Sequence, residues 1–273
     1  MRTIAYLAVG AFACLVTVGY KLTANTVAMV ESPSVLRSTL QPTVALQLKF
    51  HVGQLNTYHT TMTETGTVTQ PSQPAKPIDM TVDSTVTRTV QSIDPQTGAA
   101  TIVTSTVVNS KSINGKDVDA ASISQIPATT TIVEPNGVVD GSDTSTDLGF
   151  YAANGRDAVG GAWSRDAKDN VSGMNCHTSY TLADTSCGTD HHTVADITSQ
   201  CSGSLLMQKV PGCSTVASGT LTGSQSSSFD TTLGVLRDQA STTHTVMALV
   251  SNTQAPETID VAQTVTTTLV SSN

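Results

Sequence analysis

Apolar and polar residues alternate one by one through most of the chain beyond residue 45. In IDMTVDSTVTRTVQSI, Met80, Val82, Val86 and Val90 share one face, with Thr81, Asp83, Thr85, Thr87 and Thr89 on the other. That is the pattern of a strand with one buried side. DPQTG follows, where Pro95 fixes φ and Gly98 accepts a positive φ, and AATIVTSTVV completes a hairpin. Before it, residues 45 to 69 form a strand-like run in which Gly53-Gln54 marks a bulge or turn, and QPSQPAKP separates the two. Asn136-Gly137 stands between two β-branched runs in TTTIVEPNGVVDGS, a strong short-range signal for a second hairpin.

Residues 140 to 175 break the pattern with Gly, Asp, Asn and Ala, the single Trp163, and Phe150-Tyr151. They read as a loop, or as a short helix around Leu148 to Ala153, joining two halves of similar plan. Strands then resume and end in ETIDVAQTVTTTLV, where Ile259, Val261, Val265 and Leu269 fall at period two. No segment carries a long helical period. The expected fold is mainly β: long antiparallel strands and hairpins in a curved sheet or half-barrel, a single domain over 45–270 whose plan suggests two repeated halves joined around 140–175.

The N-terminus differs. Arg2 precedes an uncharged, largely apolar run from Ile4 to Gly19, and Thr26-Val27-Ala28 offers small residues at the positions a signal peptidase reads. Residues 1–28 read as a secretory signal and 29–44, with two prolines, as a spacer. The rival is an uncleaved anchor, which would be short: the apolar run reaches about 24 Å as a helix against a hydrocarbon core of about 30 Å. Cys14 makes a poor lipidation site because Ala11 stands where an aliphatic residue is usual and apolar residues continue past it.

Composition agrees with strands and export. Thr, Ser and Val dominate, only 12% of residues are charged, and the net charge of −8 becomes −10 when Arg2 and Lys21 leave with the signal. Such an acidic chain without a basic cluster does not suit nucleic acid or an anionic membrane surface. Membrane contact is expected only through an uncleaved N-terminus.

Residues 176 to 201, CHTSYTLADTSCGTDHHTVADITSQC, concentrate three cysteines and three histidines. With the turn at Cys187 to Asp190, Leu182 faces Ala195, Tyr180 faces Ile197, Thr178 faces Ser199 and Cys176 faces Cys201. Directly opposed residues are close enough for a disulfide. With Cys14 removed, four cysteines remain, giving Cys176–Cys201 and Cys187–Cys213, or sequentially Cys176–Cys187 and Cys201–Cys213. A metal site from Cys187, His191 and His192, supported by His177 or Cys201, lacks the usual close ligand pairs, and adjacent histidines on a strand point to opposite faces. His51, His59 and His244 read as strand-surface residues.

No motif of a nucleophile elbow, zinc protease or phosphate loop occurs, so no catalytic, cofactor-binding or metal residue is expected. Asp140, Asp143 and Asp147 alternate as in a calcium loop but lack its glycine and terminal Glu. Trp163 reads as a packing residue more readily than as a ligand platform.

In order, LKFHVGQLNTY, MTVDSTVTRTVQSIDPQTGAATI, VEPNGVV, GGAWS, SYTLADT and FDTTLGVLRDQASTTHTV resemble a family of secreted bacterial β-rich proteins filed as a domain of unknown function, over about residues 45–270. The resemblance implies a secreted β protein and supplies no catalytic residue. The residues support an exported, non-enzymatic envelope protein that shelters an apolar or lipid ligand on a curved sheet. The alternatives are a structural or adhesive surface protein acting through Thr-rich strands, and a hydrolase whose site assembles only in space.

Overall fold

The computed structural model describes residues 43–119, 122–123, 126–139, 156–169, 174–188, 190–207, 215–251 and 255–273. Its strands are β1 (Thr43–Ala45), β2 (Leu55–Thr69), β3 (Lys76–Ile93), β4 (Ala100–Ile113), β5 (Lys116–Asp117), β6 (Thr129–Val133), β7 (Arg156–Ala158), β8 (Ala162–Asp169), β9 (Met174–Cys187), β10 (Thr193–Met207), β11 (Thr215–Asp230), β12 (Val235–Ser251) and β13 (Glu257–Ser272). No α-helix occurs among the described residues. The helix considered around Leu148 to Ala153, the acidic run Asp140 to Asp147 and Cys213 lie outside them.

One antiparallel sheet of eleven strands holds nearly all of this, in the order β5-β4-β3-β2-β13-β12-β11-β10-β9-β8, with β6 beside β4. The two sequence halves meet where the first long strand, β2, pairs with the last, β13. The sheet does not close into a barrel. It curls nonetheless, because Val90, Ala100, Ile102 and Val133 from one flank share a core cluster with Tyr180, Leu182, Ala195 and Ile197 from the other. Strands five or more places apart in one sheet can share a core, with Leu46 and Leu48 between them, only if the sheet bends back on itself, as right-twisted sheets do.

The expected β3–β4 hairpin is present. Asp94 accepts the Gly98 N–H, and its carboxylate accepts those of Gln96 and Thr97. Asn136-Gly137 also turns the chain, with Glu134 and Val138 bonded across it, and among the described residues the returning arm is the single bridge Val133–Val139; β6 also pairs with β4. Gly53 is a turn with φ of 85°, so β2 begins at Leu55.

The β9–β10 register departs from expectation. Leu182 pairs with Ile197, Tyr180 with Ser199, Thr178 with Cys201 and Cys176 with Gly203. Two local features cause this. The loop between Cys187 and Thr193 is longer than a tight turn and carries His191 at φ of 63°, and a bulge near Asp196/Ile197 leaves Ala183 unpaired. The net shift is two residues for the pairs beyond the bulge, so the apolar face is the one expected while every partner differs.

Candidate ligand-binding face

Alternation gives the curled sheet an inner and an outer face, and the pairing sorts the inner face into layers along the strands. At one end Val68, Ile259, Met247 and Leu205 stand near level, with Ile78, Val261 and Ala217 beside them. At the other, Phe229, Ala195, Leu182 and Ile197 belong to the cluster that also takes in Leu46 and Leu48. Between these apolar ends lies a polar belt. One level runs Glu64, Gln263, Thr243, Gly223, Cys201 and Thr178, and the levels beside it carry Ser241, Gln225 and Ser199, then Gln239 and Ser227.

The belt is hydrogen-bonded to itself. Gln263 Nε2 donates to Glu64 Oε2 at 3.5 Å and contacts Met62 Sδ at 3.3 Å, Gln239 Nε2 donates to Gln225 Oε1 at 3.0 Å, and Gln225 Nε2 donates to Ser227 Oγ at 2.9 Å. Glu64 is 2% exposed. Burial pushes its carboxyl above the usual range against the opposing Gln263 bond, which favours the neutral acid inside the sheet. Met62, Val82, Val265, Ser241 and Thr243 on the same face are only half-buried. Trp163 stacks on Tyr180 at the inner edge, ring centroids 5.6 Å apart, consistent with a packing role.

The segment from Thr43 to Gln54 covers one end of this interior. β1 pairs with β7, Leu48 N–H donates to Pro135 O at 2.8 Å, and Lys49 N–H donates to Gly234 O at 3.2 Å. A cavity of about 20 Å³ lies beneath it among Leu48, Phe50, Tyr58, Arg88, Val90 and Leu236, room for about one water.

The charged cluster of the molecule sits at the same end. Asp230 is fully buried. Its Oδ1 accepts the N–H groups of Thr232 and Leu233, and its Oδ2 receives Arg237 Nη2 at 2.7 Å and His192 Nδ1 at 2.9 Å. Arg237 Nη2 also reaches Asp190 Oδ2 at 2.6 Å. Burial by itself would raise Asp230, but the Leu233 amide, Arg237 and His192 outweigh it and hold the carboxyl below the usual range; Arg237 and the His192 amide do the same to Asp190. Asp190, His192 and Asp230 could together reach one metal ion. The Arg237 guanidinium already supplies the positive charge there, so the group works as an ion-pair network joining the β9–β10 loop to the β11–β12 turn.

The other sequence candidates scatter. His59, His177 and His244 lie on the outer face, about half exposed, each against an aspartate of the neighbouring strand: Asp83 at 2.5 Å, Asp166 at 2.6 Å and Asp260 at 2.7 Å. Among the described residues no Ser or Thr hydroxyl is hydrogen-bonded to a histidine ring. Cys187 is exposed at the end of β9, and the Cys187, His191 and His192 grouping does not converge.

Cys176 and Cys201 are free thiols on the inner face. Burial, with Cys201 nearby, pushes Cys176 up to about 11, and burial also raises Cys201. Cys176 lies over Gly203 and Cys201 over Gly223, where a Cβ would stand 2.7 and 2.9 Å from the respective Sγ. The alternative Cys176–Cys187 bond would span eleven residues of one strand, about 37 Å, beyond any disulfide.

Glu64, Gln263, Asp230 and Arg237 did not stand out in the sequence, although Glu64 occupies a core-facing position of the period-two series Tyr58, Met62, Glu64, Gly66, Val68.

No protein-family model matches the chain, and no curated protein matches it. Among solved structures, an outer membrane channel from Pseudomonas putida F1 is similar at a TM-score of 0.23 and 8% identity, over 86% of this chain and 100% of that one. A likeness so slight carries no argument about architecture or function.

Proposed function

We propose that the protein is an exported, non-catalytic envelope protein that shelters an amphipathic ligand with an apolar chain, a lipid or lipid-like molecule, on the inner face of its curled sheet. The observation that carries the reading is the layering of that face, with apolar levels at both ends and a polar, amide-rich belt around Glu64 between them. An apolar chain would lie along the strands on the apolar levels, and a polar group part-way along it would hydrogen-bond to the belt. The eleven-stranded sheet is open along one side, so its flanks can part without breaking a pair within that sheet. The cavity of about 20 Å³ beneath the Thr43–Gln54 segment is far below the roughly 300 Å³ of a small-molecule site, so a ligand entering at this end needs that parting.

Trp163 is the only tryptophan in the chain and stands on the inner edge. Titrating the protein with a long-chain fatty acid should change its emission saturably, and Trp163→Phe should abolish the signal while leaving uptake intact. Unchanged emission together with no lipid in an organic extract of the purified protein would rule the shelter out.

A second reading rests on the outer face. A single level of hydroxyl or amide side chains crosses nine strands, from Ser112 through Thr81, Thr63, Thr264, Thr242 and Ser224 to Gln200, Ser179 and Ser164. Such a hydroxyl-rich level suits a structural or adhesive protein. Concentration-dependent assembly in sedimentation experiments, from a chain free of ligand, would favour it.

A further inference from the structure

The segment from Thr43 to Gln54 is built unlike any other part of the described chain. It crosses the mouth of the curled sheet and belongs to none of its strands. β1 makes a three-residue pairing with β7, and these two form a separate sheet. Next, Leu46 and Leu48, 1% and 6% exposed, enter the core cluster that unites the two flanks. Leu48 N–H then bonds to Pro135 O beside β6, and Lys49 N–H bonds to Gly234 O in the β11–β12 turn. One short strap therefore touches β7, which leads into the β8 edge, the turn after β6 on the opposite flank, and a central turn.

The docking point on the central turn is specific. Gly234 has φ of 71°, and a Cβ there would collide with the backbone and side chain of Lys49. Lys49 Nζ donates to Thr232 O at 2.9 Å, so the strap grips this turn twice. The turn is itself held by the buried Asp230, which accepts the Thr232 and Leu233 amides through its carboxylate and the Gly234 amide through its carbonyl. At its other end the strap joins β2 through His51 to Gln54, with Val52 68% exposed and Gly53 at φ of 85°. Gly53 N–H donates to Val90 O and Gln54 O accepts the Val90 N–H, which fixes the β2 side of the turn, so a change of direction falls at His51–Val52.

The attachment is also light. Few backbone bonds hold the strap, whereas β2, β3 and β9 to β13 each pair with a strand on both sides, and the cavity of about 20 Å³ leaves its underside incompletely packed. A segment with few main-chain bonds over an imperfectly filled core opens at lower free energy than the sheet it covers.

We propose that residues 43–50 form a gate: the strap ties the two flanks of the open sheet together at one end, and its release lets them part and admits an apolar chain to the inner face. The proposal rests on the shelter reading for what enters, but the movement can be measured without any ligand. Amide hydrogen exchange on the full chain should show the Leu48 and Lys49 N–H groups exchanging at least about 100-fold faster than those of Ile197 and Val261. Equal protection would overturn the gate.

Thr43 and Ala158 are direct partners in β1–β7, so the double variant Thr43→Cys/Ala158→Cys can be locked by oxidation and released by reduction, with the bond confirmed by peptide mapping. Uptake of a fluorescent fatty acid should be at least tenfold slower in the oxidised form than in the reduced form of the same protein. Equal uptake in both forms would also overturn the gate while leaving the shelter standing. Uptake in neither form, nor in the parent, would remove the shelter, and with it the gate's cargo, whereas hydrogen exchange would still decide whether the strap opens. Gly234→Val supplies a second variant, expected to speed Leu48 exchange by displacing Lys49.

Discussion

Asp230 shows how much of the fold a single buried charge can organise. It ends β11, shapes the turn into β12, and anchors Arg237 and His192. Asp230→Asn keeps the shape but loses charge-assisted bonds, and equilibrium denaturation should find it about 2–3 kcal/mol less stable at neutral pH. The pH dependence has a definite sign. Because the folded carboxyl titrates below its ordinary value, its contribution is complete above the unfolded pKa of about 3.9 and is lost as pH falls toward the folded value. The parent should therefore lose stability faster than Asp230→Asn below about pH 4.

Glu64 behaves in the opposite sense. Its folded pKa is raised by burial, so the folded state holds the proton longer, and stability declines as pH rises from the unfolded value of about 4.3 through the folded one. Glu64→Gln, which has the same shape and no charge, should remove that decline and be at least as stable as the parent at pH 7, measured by thermal unfolding across pH 4–8. Loss of stability in Glu64→Gln would show that the ionised carboxylate is the form the belt needs.

At the scale of strands, packing depends on places where side chains are missing. Gly219 and Gly66 face Met247 and Val261 on the inner face, and a Cβ at either would run into the backbone of the neighbouring strand, at Val246 O or Asp260 O. Gly219→Ala should cost about 1–3 kcal/mol, the usual penalty for overpacking, in chemical denaturation. Strand faces were legible in the sequence because period two survives any even shift: Met80, Val90, Ile259 and Val261 are buried as their alternation predicts. Partners were less legible. The β9–β10 register depends on a left-handed His191 and an unpaired Ala183, neither of which has a signature in a Thr-rich run.

The cysteines measure that difference. A register two residues off leaves Cys176 diagonal to Cys201, a spacing of about 7–8 Å between Cα atoms, slightly beyond comfortable disulfide reach. Alkylation in denaturant without reductant should therefore label both. A Cys176–Cys201 disulfide found by peptide mapping would mean that β9 sits two residues along, in the register first read from the sequence.

For the whole molecule, the mainly β class and the curved sheet follow from alternation, turn chemistry and the absence of helical periods. The order of strands does not, since it depends on β2 meeting β13 across more than 180 residues of sequence, a pairing with no local signal. The inner belt was hidden for the same reason: Glu64, Gln225, Gln239 and Gln263 come from four strands and look like ordinary surface residues until the sheet assembles them. Layering, open edge and strap together make an interior divided into apolar and polar levels. Native mass spectrometry of the purified full chain, before and after denaturation, tests this most directly. The account predicts a native mass above that of the polypeptide, with the excess released on denaturation and identified as a lipid. A native protein with the bare mass of its chain under both conditions, and no uptake of added fatty acid, would contradict it.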